Sequence, residues 1–115
     1  MKESDIQRKI MIEVSKLGHR VFRNNTGLFT LDDGRKVRTG LCVGSSDLVG
    51  WTNTGRFLAI EVKTPTGKPT QEQVNFLEQV NKSGGIAFIA RSPEEAREIL
   101  CKNCKTSTST HSAFQ

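Results

Sequence analysis

Apolar residues recur along this chain in two rhythms. From Ser4 to Leu17 they fall at Ile6, Ile10, Val14 and Leu17, steps of four, four and three that mark one face of an amphipathic helix. Gly18 follows, where a left-handed C-terminal cap belongs. The rhythm then becomes that of strands. His19 to Asn24 is a short one. Leu28 to Leu31 and Arg35 to Thr39 flank Asp33-Gly34, a hairpin turn signal. Asp47 to Thr52 and Arg56 to Lys63 flank Asn53-Thr54-Gly55, a three-residue turn with glycine for the left-handed position. One face of this second hairpin carries Val49, Trp51, Phe57 and Ala59; the other carries Leu48, Gly50, Leu58, Ile60 and Val62. Both are largely apolar, so the hairpin should lie mid-sheet and be covered on both sides. Pro65, Gly67 and Pro69 end its second strand. A helix is expected from Thr70 to about Ser83, opened by a Thr70/Gln73 capping box and closed by Gly84-Gly85. Ile86 to Ala90 reads as a buried strand. Ser92 caps a last helix over Pro93 to Cys101, with proline first and Glu95 completing the box. These elements predict an α/β fold: a helix, a mixed sheet with the Asp47–Glu61 hairpin at its centre, a crossing helix, a further strand and a closing helix.

The chain has 115 residues, enough for one domain over 1–101. From Lys102 to Gln115 it is mostly Lys, Ser and Thr, which predicts a disordered tail. Lys and Arg number 17 against 12 Asp and Glu, and the net charge of +5 favours an anionic partner, nucleic acid first. No apolar run approaches membrane-spanning length and the start has no signal-peptide pattern, so a cytoplasmic protein is expected. Cys101, Cys104 and His111 are three ligands where a zinc site needs four, so reduced thiols are expected.

The chemistry concentrates in the second hairpin. If Thr52 faces Arg56, Asp47 faces Glu61, with the two Cβ atoms about 5 Å apart on one face. Lys63, two residues on, shares that face. Opposed carboxylates in a covered hairpin repel, and a divalent cation removes the penalty. Mg²⁺ or Mn²⁺ would take both carboxylates, and the Val62 carbonyl could add an oxygen. Lys63 would orient the attacking water or steady developing charge. The plainer alternative is a polar cluster at a strand end, with Lys63 pairing Glu61. Glu3 falls near the centre of the first helix's apolar stripe and Gln7 at its edge. Either could point at a site, or Ser4 and Gln7 could form a capping box with Glu3 favouring the helix N-terminus. Gln73 caps its helix, yet shares the face of Phe76, Leu77 and Val80. Arg23, Arg35, Lys36 and Arg38 make the region before Asp47 basic, as phosphate contacts or as a solvated face. Asn24 in the turn and Ser45 beside Gly44 join them as candidates for nucleic-acid contact.

Asp47 followed by Glu61-Val62-Lys63 after a turn resembles the core of the PD-(D/E)XK nucleases. With Arg23-Asn24, Gly27, Gly44-x-x-Asp47, Gln73 and Gly84-Gly85, residues 3 to 100 are similar to VRR-NUC (virus-type replication-repair nuclease) domains, especially small stand-alone phage ones. Ser46 stands where the superfamily name has proline. The resemblance implies a restriction-endonuclease-like core and a Mg²⁺- or Mn²⁺-dependent endonuclease acting on branched DNA such as four-way junctions. It implies a homodimer, with Glu3 and Gln73 completing the site around Asp47, Glu61, Val62 and Lys63. A non-catalytic DNA-binding module and a restriction-type duplex endonuclease are the alternatives.

Overall fold

The computed structural model describes residues 2–111. Helix α1 spans Glu3–Lys16 and strand β1 Arg20–Arg23. A hairpin of β2 (Gly27–Thr30) and β3 (Lys36–Thr39) follows, then β4 (Leu48–Trp51) and β5 (Phe57–Val62). Helix α2 (Gln71–Lys82), β6 (Ile86–Ala90) and α3 (Pro93–His111) complete the chain. The main sheet has the order β1-β4-β5-β6; β5 and β6 are parallel and the other neighbours antiparallel. The mixed sheet with the β4–β5 hairpin at its centre is therefore as expected.

The alternation of side chains along β4 and β5 sorts the core into two layers. Leu48, Leu58, Ile60 and Val62 pack with Ile6, Ile10 and Val14 of α1 and with Ala96 and Leu100 of α3. On the other face Ala59 packs with Leu77 of α2 and Ala87 of β6. Cover on this second face is partial. α2 lies over β5 and β6, and Trp51 and Phe57 remain 51% and 42% exposed. The sequence pattern cannot tell a covered apolar face from a bare one, because both read as alternating apolar positions. Among the described residues no helix is long and apolar enough to cross a membrane.

The β4–β5 turn behaves as its residues require. Gly55 has φ +87°, Thr52 N–H donates to the Arg56 carbonyl at 2.8 Å, and Gly55 N–H donates to the Thr52 carbonyl at 2.9 Å. Two helix ends differ from expectation. α1 starts at Glu3 after Lys2, with no side-chain cap, so the Ser4/Gln7 capping box is not formed. The Gln7 amide oxygen instead accepts from Arg23 Nε at 2.9 Å. α3 continues past Cys101 to His111, since a helix already anchored by Ala96 and Leu100 extends without a new nucleation cost. Residues 112–115 of the expected tail lie outside the described residues, as do the side chains of Cys104 and His111.

Candidate active site

Leu48 pairs with Ile60, and one step further out Asp47 opposes Glu61. The pairing is cross-latched. Asp47 N–H donates to Glu61 Oε1 at 3.3 Å, and Val62 N–H donates to Asp47 Oδ2 at 2.9 Å. Lys63 Nζ lies 3.2 Å from Glu61 Oε2, its side chain 15% exposed. N–H and C=O of a strand residue point the same way, so the Val62 carbonyl is also directed to the Asp47 side. Glu61 is 1% exposed and belongs to the second face of the sheet.

That burial has an electrostatic consequence. Removal from water, then the neighbouring Asp47 charge, push the Glu61 carboxyl up to about 7. The hydrogen bond and charge of Lys63, and the Asp47 N–H, pull it down without cancelling the rise. The cluster is short of positive charge. Its unspent donors are carboxylate and carbonyl oxygens, the hard set that Mg²⁺ or Mn²⁺ takes. The residues present therefore fit a divalent ion held by Asp47, Glu61 and the Val62 carbonyl.

The approach to Asp47 is pinned by side chains. Asn24 Nδ2 donates to Ser45 Oγ at 2.8 Å and to the Ser46 carbonyl at 2.9 Å, while Asn24 Oδ1 accepts from Leu41 N–H at 3.0 Å. Asn24 N–H donates to the Asp47 carbonyl at 2.8 Å. Ser45 is 4% exposed, and its hydroxyl also donates to the Cys42 carbonyl at 2.7 Å. Asn24 and Ser45 thus hold the loop that delivers Asp47. Gly44 has φ +84°, and a Cβ there would stand 2.6 Å from the Glu72 carbonyl oxygen in the first turn of α2. Past Lys63, Arg91 Nη1 donates to the carbonyls of Thr64 (2.8 Å) and Gly67 (2.6 Å), fastening the next loop. Sequence reasoning missed Arg91; its one signal is an arginine directly after an apolar strand.

Other candidates are dispersed. Glu3 is exposed in the first turn of α1, whose core face packs on the opposite side of the sheet. Among the described residues no group of three or more His, Cys, Asp and Glu forms, so no third such side chain joins Asp47 and Glu61. Gln73 forms the capping box, its Oε1 accepting from Thr70 N–H at 2.8 Å. Arg23 opposes Leu48 and so projects to the α1 side. Arg35 is paired with Asp33 at 2.6 Å; Lys36 and Arg38 alternate with it along the β3 hairpin.

Comparison with known proteins agrees with this architecture. A family model described as the VRR-NUC domain matches residues 1–94. A solved structure titled "VRR_NUC domain" superposes with a TM-score of 0.59 at 22% identity, covering 85% of this chain and 92% of that one. Another, titled "VRR_NUC domain protein", gives 0.57 at 16% identity, covering 91% and 89%. A search among curated proteins finds no match. With its family match over most of its length and its cross-latched Asp47–Glu61 hairpin, this chain belongs to the VRR-NUC family of nuclease-type domains.

Proposed function

We propose that the chain is a Mg²⁺- or Mn²⁺-dependent endonuclease that hydrolyses DNA phosphodiesters, working as a homodimer in the cytoplasm on branched DNA such as four-way junctions. The observation that carries this reading is the Asp47–Glu61 pair, half-buried Asp47 opposite buried Glu61, left short of positive charge even with Lys63 in place. Asp47, Glu61 and the Val62 carbonyl would hold the ion. When bound, it supplies Lewis acidity toward the phosphodiester. Lys63, its side chain partly open to solvent, would donate from Nζ to the attacking water and offset negative charge as the phosphate becomes five-coordinate. Glu61 would keep Lys63 in place, and Asn24 and Arg91 would keep the two loops beside the site from drifting. Glu3 and Gln73 have weaker support as further site residues. The first is exposed on the other layer, and the second has spent its oxygen on the cap of α2. Arg23, Lys36 and Arg38 would contact phosphates.

A non-catalytic DNA-binding module is disfavoured by the same pair, since opposed carboxylates beside phosphate only weaken binding without a metal. The test is a cleavage panel over single-stranded, duplex, flap and four-way junction DNA, with and without Mg²⁺. Metal-dependent incision strongest on the junction is expected. Binding without incision on every substrate would reject the enzyme.

A further inference from the structure

The β2–β3 hairpin stands apart from the rest of the fold. Its strands pack on each other and on almost nothing else. Phe29, Leu28 and Val37 are 55%, 53% and 39% exposed. A two-stranded hairpin without a packed face is marginal by itself. This one is tied at its base, where Thr39 Oγ1 donates to the Asn25 carbonyl at 3.0 Å and Leu41 N–H donates to Asn24 Oδ1. Its tip is a three-residue turn with Leu31 N–H donating to the Arg35 carbonyl at 2.7 Å and Gly34 at φ +88°. Both ends of the arm reach Asn24, whose N–H donates to the Asp47 carbonyl, so it projects from the carboxylate end of the main sheet.

The register splits the arm into two unlike faces. Phe29 opposes Val37, and Leu31 and Arg35 lie on that same face. Leu28 opposes Arg38 and Thr30 opposes Lys36 on the other. Arg35 is therefore on the apolar face, held by Asp33, while Lys36 and Arg38 stand together on the basic face, about 7 Å apart along the strand. We infer that this arm is a two-stranded ribbon that lies along duplex DNA flanking the cut, with Lys36 and Arg38 on its phosphates and Arg35 taking no part. Two observations select duplex DNA as the occupant. The face is cationic in a chain of net charge +5, and it starts at the residues that place Asp47. A two-stranded ribbon is also an element that the major groove admits. The inference rests on the nuclease reading only for where the cut falls. The arm's affinity for duplex is measured without cleavage.

The experiment is fluorescence anisotropy of the full chain in EDTA at 50, 100 and 200 mM salt, on a duplex and on a single strand of equal length. Light scattering is recorded on each protein, and cleavage in Mg²⁺ beside it. Lys36→Ala/Arg38→Ala should flatten the duplex salt slope by roughly two units, so that the wild type's advantage shrinks about tenfold between 50 and 200 mM. Its preference for duplex over single strand should fall as well. Arg35→Ala should keep the wild-type slope. The inference is overturned if Lys36→Ala/Arg38→Ala keeps the wild-type slope, or if Arg35→Ala loses as much. It is also overturned if Phe29→Ser/Val37→Ser makes a dimer monomeric and abolishes duplex binding while the basic pair has no effect, because the arm would then serve a second copy. Absence of cleavage by the wild type, with the salt-slope result as expected, would remove the nuclease reading and leave the arm standing.

Discussion

At the residue scale, three side chains are expected to carry the cleavage. On the proposed function, Asp47→Asn and Glu61→Gln should each abolish cleavage and leave DNA binding intact or stronger, because each removes a negative charge that would face both metal and phosphate. Normal incision by either purified variant at millimolar Mg²⁺ would overturn the site. Lys63→Ala should slow single-turnover cleavage by ~10²–10⁴-fold while still binding metal. A large drop in melting temperature with an unchanged rate would instead make Lys63 only the partner of Glu61. Ser46 is a different case. The residue is 1% exposed, and among the described residues its buried hydroxyl has no hydrogen-bond partner. An unsatisfied buried polar group costs about 1–3 kcal/mol. Ser46→Ala should therefore raise the melting temperature by a few degrees without changing the cleavage rate. A lowered melting temperature would show that the hydroxyl has a partner in solution.

At the element scale, the loop from Gly40 to Ser46 decides where Asp47 goes, and its geometry is imposed from outside. Asn24 supplies three side-chain hydrogen bonds to it, and the first turn of α2 supplies a wall. Asn24→Ala should cost about 1–3 kcal/mol through the groups it leaves unpaired. It should also lower the single-turnover rate, because Asp47 would be placed less accurately opposite Glu61. Thermal melts and rates on one preparation check both. Wild-type values of each would mean that the loop holds itself. Gly44→Ala meets two obstacles at once, a positive φ and the Glu72 carbonyl, and should destabilise more than alanine at an open turn glycine such as Gly34.

At the scale of the whole molecule, the carboxylate pair couples stability to protonation, and on the proposed function to metal as well. In the folded chain Glu61 has its pKa raised to about 7 from the ordinary 4.5. A raised folded-state pKa means that the folded form binds the proton more tightly than the unfolded form. The Glu61 contribution is therefore complete below 4.5 and lost as pH rises through 7. The charged groups facing it are Asp47 and Lys63. His19 acts in the opposite sense: burial lowers its pKa, so its contribution is present above 6.5 and is lost as pH falls. The Glu61 part is thus read as the difference between wild type and Glu61→Gln, melted in EDTA from pH 5 to 8. Relative to that variant, the wild type should lose stability as pH rises. Adding Mg²⁺ should stabilise it increasingly over the same range, as the carboxylate becomes free to bind. A pH-independent difference in EDTA would mean that Glu61 is ionised throughout.

Local rules account for what the sequence determined alone. A three-residue turn with glycine in its left-handed position leaves one register for the β4–β5 hairpin. That register places Asp47 opposite Glu61 and Lys63 beside them, with no tertiary information needed. The helix of Ile6, Ile10 and Val14, the Thr70/Gln73 capping box and the Asp33-Gly34 turn are legible for the same reason: each is set by neighbours in sequence. The rest depended on packing. Which apolar face is covered depends on where α2 comes to rest, and Trp51 and Phe57 stay exposed because it rests over β5 and β6. Asn24 and Ser45 look like polar contacts for a ligand; the folded chain brings them together across 21 positions and directs their hydrogen bonds to each other and to the backbone of the loop before Asp47. The unlike roles proposed for Arg35 and its neighbours Lys36 and Arg38 come from the pleat of a hairpin with no core to face. Composition counts three similar cations there, and the alternation of the strand separates them.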